Sequence, residues 1–363
     1  MVCISRHGSE AILCGQKIYR KVRENGSTTV LILGVLGFLS VVTIGTYLFL
    51  QYSIQEIRKY ETKEKCRKAL TAEAANLVDM LVQDTTPYAD SRLDAVWEYI
   101  TESEERKMHV TLTDVSSYYG INWVRKEILD HSGLMKFGKS SAGLQQYRWD
   151  TGLHLNLEPD FQEFFSAGIL HSFFTPYCYF NINICDEFAV ENLYFLRTGD
   201  REKARMFRLK IQEYWKESTP GKPRMVEPGD LEGFLGSDFA VLFPILNASP
   251  AINIHFAPEE IVHQLLSYQH HNVPQSTAEF LLYNRSTQEW NEGELESIIG
   301  ERYRGTFLHH YLGVTTWFWR IEIETRSGEE GPISLKWIVA RIPSGQKNSD
   351  EREYRLIEEE FFR

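Results

Sequence analysis

Val30 to Leu50 reads VLILGVLGFLSVVTIGTYLFL, 21 residues without a charge. As a helix rising about 1.5 Å per residue, the run spans ~30 Å, the thickness of a bilayer core. No second run of this kind occurs in the chain. The small-residue cleavage pattern of a secretory signal does not follow it, so the sequence predicts one retained transmembrane segment. From Thr46 to Thr86 there is neither glycine nor proline, and Ile54, Ile57, Leu70, Ala74, Leu77, Val78 and Leu81 recur at helical spacing among Lys, Arg and Glu. The helix is therefore expected to continue to about Gln83, apolar all round at first and amphipathic later. That is the pattern of an anchor continuing as the spine of a soluble domain; the heptad is too irregular for a coiled coil.

Further along, the period changes. HVTLT (His109–Thr113) alternates and leads into the turn-rich DVSSYYGIN. TTWFWRIEIET alternates cleanly, with Trp317, Trp319, Ile321 and Ile323 on one face and Phe318, Arg320, Glu322 and Glu324 on the other. After the loop RSGEEGP, ISLKWIVARI predicts a second strand and hence a hairpin. Between the strand near 110 and the hairpin near 320 the pattern is mostly helical. The expected fold class is α+β: a long N-terminal helix, a small antiparallel sheet and a large helical insertion between its strands. The corresponding segments are 27–83 for the transmembrane and spine helix, 84–123 for the first part of the sheet domain, 124–306 for the insertion, 307–345 for the closing strands and 346–363 for a charged tail.

The insertion contains a diverged repeat. NINICDEFAVENL begins at Asn181 and NIHFAPEEIVHQL at Asn253, so that Asn181 meets Asn253, Ile182 meets Ile254, Val190 meets Val262 and Leu193 meets Leu265. Asp186 as a cap and Pro258 in the first turn mark the helix starts. EPGDLEGFLG (227–236) and NEGELESIIG (291–300) close the two units alike. The natural reading is two helix–hairpin–helix or SAM-like units, near 181–236 and 253–303, with Asn181, Asn183 and Asn253 as the motif positions.

Charge limits what these units bind. Residues 253–302 hold eight Glu, no Asp, two Arg and no Lys, and residues 181–236 hold ten acids against nine bases. With a net charge of -11 for the 363 residues, a phosphate backbone would be repelled, and packing against protein is expected instead of nucleic-acid binding. Hydrophobic residues make up 43%, enough for a sizeable core. The five cysteines, Cys3, Cys14, Cys66, Cys178 and Cys185, include no CxxC pair, which argues against a zinc ribbon or thioredoxin-like site. Cys178 and Cys185 flank one expected strand; a disulfide in an oxidising compartment and two small buried side chains both fit. Catalysis is not expected: His270–His271 and His309–His310 lack metal-protease spacing, and GxSxG, P-loop and EF-hand patterns are missing. Asp84, Asp90 and Asp94 are close in sequence, with helix capping or solvent exposure as their expected roles.

Taken together, these features resemble the minor pseudopilin K family of type II secretion, also called general secretion pathway protein K. The likeness rests on the basic leader ending at Gly26 before the apolar helix, on LVQDTTPYADSRLDAVWEYI, on VTLTDVSSYYGIN with the two Asn-Ile segments, and on HHYLGVTTWFWRIEIET with ISLKWIVARI. His255 departs from it, standing where the family often has asparagine, and the leader is long. The resemblance implies a pilin-like sheet domain and a leader of residues 1–26, cut between Gly26 and Ser27 by a prepilin peptidase that methylates the new N-terminus. Position five after the cut is Leu31, where ordinary pilins carry a glutamate that pairs with a neighbour's amine in the membrane. A subunit lacking that glutamate and carrying a bulky insertion suits the fibre tip. The implied partners are minor pseudopilins I and J, the major pseudopilin, the peptidase and the inner-membrane secretion platform. The implied location is the bacterial inner membrane, single-pass, with the C-terminal domain in the periplasm. No catalytic role or resident cofactor follows; the family resemblance allows calcium in the inserted domain, without assigned ligands here. The alternative is a membrane-anchored helix–hairpin–helix binding protein of the DNA-uptake type with an uncleaved anchor.

Overall fold

The computed structural model describes residues 8–84, 86, 89–103, 108–154, 156–216, 225–243, 245–306, 308–325, 332–343 and 353–362, with side chains from Thr28 onward. The chain is mixed α+β, with a long N-terminal helix and a small antiparallel sheet. It divides into two compact units, Met1–Cys66 and Arg67–Arg363. Helix α1 is Gly8–Gln83, so the expected end at Gln83 is met.

In the first unit, α1 carries the apolar run. Val30, Leu31, Phe38, Val41 and Phe49 are all exposed. The hydroxyls inside the run do not need water: Ser40, Thr43 and Thr46 each donate to the carbonyl four residues back, at 2.8 Å. A polar group facing hydrocarbon is tolerated only when so satisfied. The helix is long and apolar enough to cross a membrane and is compatible with a single membrane anchor.

In the second unit, the last turns of α1 present Leu70, Ala74, Leu77 and Leu81 along one stripe, all buried. The stripe packs on a four-stranded sheet of order β1-β8-β9-β10, with β1 Met108–Asp114, β8 Phe318–Thr325, β9 Ser334–Arg341 and β10 Tyr354–Phe362. All three pairings are antiparallel, with Leu112 opposite Ile321 and Ile321 opposite Trp337. Val110, Leu112, Trp319, Ile321, Ile323, Leu335, Trp337 and Val339 form the core under α1, closed at one end by Val96 of α2 (Ala95–Ser103). Phe318, Ile338 and Ala340 pack on the opposite face with Val115, Tyr179 and Trp317.

Two expectations change here. Trp317 lies just before β8 and joins Phe318 on the second face instead of sharing the Trp319 face, because its indole donates to the Pro250 carbonyl at 2.7 Å. The segment expected as a charged tail contributes β10 as the fourth strand. Its acidic run is compatible with a strand because Lys336 on β9 bridges Glu358 at 2.8 Å and Glu360 at 3.1 Å. The RSGEEGP loop falls mostly at 326–331, outside the described residues.

Between β1 and β8 the chain makes one local design three times, where the sequence shows it twice. Each module opens with a two-residue strand, turns into helices, and returns by a two-residue strand that pairs in parallel with the first. Module one is β2 Tyr119–Gly120, α3 Lys126–Ser132, α4 Ser141–Thr151, α5 Ala167–Phe173 and β3 Phe174–Thr175. Module two is β4 Phe180–Asn181, α6 Glu187–Thr198, α7 Arg201–Lys216, α8 Leu231–Leu235, α9 Phe239–Leu242 and β5 Leu246–Asn247. Module three is β6 Ile252–Asn253, α10 Glu259–Ser267, α11 Gln275–Asn284, α12 Glu292–Ile299, α13 Arg302–Gly305, α14 Leu308–Tyr311 and β7 Leu312–Gly313. Short connections, 115–118, 176–179, 248–251 and 314–317, join β1, the modules and β8 in series.

The helix signals act locally. Asp186 caps α6, accepting from the Phe188 amide at 2.8 Å. Asn291 and Glu294 form a reciprocal capping box on α12. Pro258 stands at the cap position of α10 itself, one place before the first turn. Ile182, Val190 and Leu193 join Ile254, Val262 and Leu265 in one large core shared by the modules.

Candidate functional site

The motif asparagines are buried fasteners. In every module the residue after the opening strand donates its amide to the closing strand: Ile121 to Thr175 at 3.0 Å, Ile182 to Asn247 at 2.8 Å and Ile254 to Gly313 at 2.9 Å. Three residues further on, Val124, Cys185 and Ala257 donate back to Gly120, Asn181 and Asn253, each at 2.9 Å. This tight turn fixes two positions per module, both polar in modules two and three, and Gly120 followed by the polar Asn122 in module one.

The second of these positions grips the middle of its own module. Asn122 accepts from the His154 amide at 2.8 Å and donates to the His154 carbonyl at 2.7 Å. Asn183 does the same to Val226, at 2.8 and 2.9 Å. His255 replaces that carboxamide: its Nε2 takes the Trp290 amide at 3.3 Å while Nδ1 faces the Arg285 carbonyl at 3.0 Å. Burial lowers the His255 pKa. A neutral imidazole has one donor and one acceptor nitrogen, so it fills the role of an amide.

The first position holds the exit of its module. Asn181 donates to the carbonyls of Ser249 at 2.6 Å and His310 at 3.1 Å. Asn253 donates to the Asp90 carbonyl at 2.9 Å and to Thr316 Oγ1 at 3.0 Å, and accepts from the His255 amide at 2.9 Å. Module one has Gly120 here, which is why sequence comparison misses it. The space is filled by Trp123, whose indole donates to Cys178 Sγ at 3.0 Å. A Cβ on Gly120 would lie 2.1 Å from Trp123 Nε1 and 2.7 Å from Cys178 Sγ. Trp123 is fully buried and has nowhere to swing. Gly120→Ala is expected to cost about 2 kcal/mol by overpacking, read as a lower urea midpoint with an unchanged slope.

Cys178 and Cys185, the pair left open between disulfide and thiol, are both free. Cys178 is engaged by Trp123, and burial pushes its thiol up to about 12; burial likewise raises Cys185. Neither is a ready thiolate.

Asn253 also belongs to a polar junction where the modules return to the sheet. Asp90 is fully buried; its Oδ2 accepts from the Thr316 amide at 2.7 Å and from Arg341 Nη1 at 3.0 Å. Asp114, at the end of β1, accepts from the Ser116 amide and hydroxyl, both at 2.7 Å, from Ser117 Oγ, and from Thr316 Oγ1 at 2.9 Å. Ser117 Oγ in turn takes the Asn253 amide at 2.9 Å. The loop after α1, the exit from β1, the last module and the entry to β8 therefore meet in one connected network.

The three aspartates of the loop are not simply solvent-facing. Asp84, Asp90 and Asp94 bring carboxylate oxygens within 4.8 Å of one another, close enough to hold a metal. Asp94 sits immediately before α2, yet its carboxylate accepts from Ser91, at 3.0 and 3.1 Å, and not from the helix. Asp84 accepts from Thr86, and Asp90 is paired with Arg341. Calcium takes six to eight oxygen ligands. Here the chain's own donors and one guanidinium serve these carboxylates.

The same crowding has a pH consequence. Burial, then the charges of Asp84 and Asp90, raise Asp94 to about 7 against the pull of Ser91. Burial raises Asp114 to about 6, partly offset by Ser117, Ser116 and Thr316. A carboxyl whose folded pKa exceeds its unfolded value binds its proton more tightly when folded. Its contribution to stability is greatest below the unfolded pKa and is lost as pH rises through the folded one. These two carboxyls therefore add stability as pH falls from 8 to 5, while the buried neutral His271 and His310, held at about 4 and about 3, oppose that gain below the ordinary histidine range. Asp94→Asn should flatten that slope and raise the melting temperature at pH 8, by about 2 kcal/mol equivalent. Thermal scans at four pH values check this.

Gly26 and Ser27 lie within α1, with side chains outside the described ones, and Leu31 is 68% exposed on the same helix. Asn181 and Asn183 act together in module two, and Asn253 works apart from them. The junction residues Asp90, Asp114, Thr316 and Arg341 carry no sequence signal of their own, since four separate segments supply them. No protein-family model and no curated protein matches the chain.

Proposed function

We propose that the chain is the minor pseudopilin K of a type II secretion pseudopilus, capping the fibre tip and helping to initiate its assembly and the export of folded proteins across the outer membrane. The observation that carries this reading is α1: an apolar, charge-free stretch continues as an amphipathic stripe, Leu70, Ala74, Leu77 and Leu81, laid on a small antiparallel sheet. A fibre subunit needs such a helix, with an apolar part to pack against equivalent helices and a later part to carry a head. The chain between β1 and β8 then serves as an inserted helical head, its modules as helix–hairpin–helix or SAM-like units, whose bulk leaves no room for a subunit above. Leu31 at position five supplies no carboxylate to pair with the amine of such a subunit. The protein works by assembly and not by catalysis, anchored in the inner membrane with its head in the periplasm. Its contacts are with minor pseudopilins I and J, the major pseudopilin and the secretion platform.

The test is the mature N-terminus, measured by mass spectrometry of the membrane-extracted protein with and without active prepilin peptidase. A methylated Ser27 that depends on the peptidase is the expected result; an intact leader in both strains sinks the reading. The second reading, an anchored binding protein of the DNA-uptake type, draws on the six basic residues of α7. Retention on a heparin column at low salt would favour it.

A further inference from the structure

The second helices of the three modules, α4, α7 and α11, occupy equivalent places but meet different fates. On α4, Trp149 is 36% exposed and only partly covered within the chain: Phe188 of α6 stacks edge-on at 4.8 Å between ring centroids, and Arg208 of α7 lies over the Phe188 ring at 4.7 Å. The outer strips of α7 and α11 have no such cover. Met206 and Leu209 on α7 are 61% and 42% exposed; Phe280 and Tyr283 on α11 are 45% and 84% exposed. Residues three and four apart share a helix face, so each pair forms one apolar strip.

The two strips carry opposite charge. Helix α7 holds six basic residues against Glu202 and Glu213. The hairpin of α10 and α11 holds Glu259, Glu260 and Glu279 with no Lys or Arg. Next to the strips stand Arg205 and Glu279, neither of which has an ion-pair partner among the described residues. Exposed apolar residues flanked by unpaired charge of one sign mark a docking face, and the charge selects the partner.

We propose that a second copy of this chain docks the outer face of its α11 on the outer face of α7. Met206 and Leu209 pack against Phe280 and Tyr283, and Arg205 faces Glu279. The complementary surface is on the page in the chain's own repeat, which is why a second copy is the occupant. The contact is head-to-tail, so each pair leaves one α7 and one α11 free, and association is open-ended. This inference goes beyond the fibre-tip reading and does not rest on it.

The test uses the full chain in excess nonionic detergent at 100 mM salt, followed by sedimentation velocity. Wild type is expected to form dimers and larger species as concentration rises. Arg205→Glu with Lys210→Glu should lower association at least tenfold, and so should Glu279→Lys alone. The decisive step is mixing: the first variant has two acidic faces and the second two basic ones, so an equimolar mixture should associate again. A monomeric wild type, variants that associate as wild type does, or a mixture that stays monomeric would each overturn the proposal. So would α7-dependent binding of a monomeric wild type to phosphatidylglycerol vesicles, which would reassign the face to lipid. None of these outcomes bears on cleavage at Gly26.

Discussion

Asn253→Ala is expected to remove about 4 kcal/mol of stability from the second unit. The side chain is completely buried and makes three hydrogen bonds, to the Asp90 carbonyl, Thr316 Oγ1 and the His255 amide. Truncation leaves these groups buried without that partner and opens a small cavity as well. Water reaches none of them, so the cost is the desolvation of each group and not the modest net worth of an exposed hydrogen bond. The comparison that isolates the mechanism is His255→Asn, which restores the carboxamide found at Asn122 and Asn183. It should cost far less, because the position needs one donor and one acceptor and an amide supplies both. Urea unfolding of the full chain in detergent measures both. An Asn253→Ala loss under 1 kcal/mol would mean that the junction is held by the sheet and core alone.

Arg341→Met should cost about 3–5 kcal/mol, because it strands the Asp90 carboxylate in the interior. Asp90 is 0% exposed, and Arg341 supplies the cation at 3.0 Å. The Thr316 amide, at 2.7 Å, also donates to the same oxygen. The double variant Asp90→Asn with Arg341→Met removes both charges and should recover most of the loss, since a paired buried charge contributes little net stability but an unpaired one is costly. If the double variant is no better than the single, the loss comes from the guanidinium over the Trp317 ring, with Cζ 6.0 Å from the ring centroid, and not from the stranded Asp90 charge.

The local elements were largely legible in the order of residues. A charge-free run followed by Leu70, Ala74, Leu77 and Leu81 at helical spacing dictates one continuous helix. The alternation of Trp319, Ile321 and Ile323 dictates a strand with one buried face, since both patterns follow from backbone geometry alone. Asp186 announced its helix because capping is settled within four residues. Repetition was legible only where chemistry was kept, as between Asn181 and Asn253. Gly120 hid the first module because Trp123 and Cys178 fill the same space from elsewhere in the fold.

Tertiary structure decided the rest. That Trp317 turns to the Phe318 side depends on the Pro250 carbonyl, far away in sequence. That residues 354–362 form a strand depends on Lys336 beneath their glutamates. The junction of Asp90, Asp114, Asn253, Thr316 and Arg341 exists only because β1 and β8 pair across the three modules. Its members share no spacing, and a buried aspartate reads in sequence like any surface one. Sequence specifies what each segment prefers by itself; which carboxylates lose their water, and which cation and hydroxyls replace it, is set by how the segments close on one another.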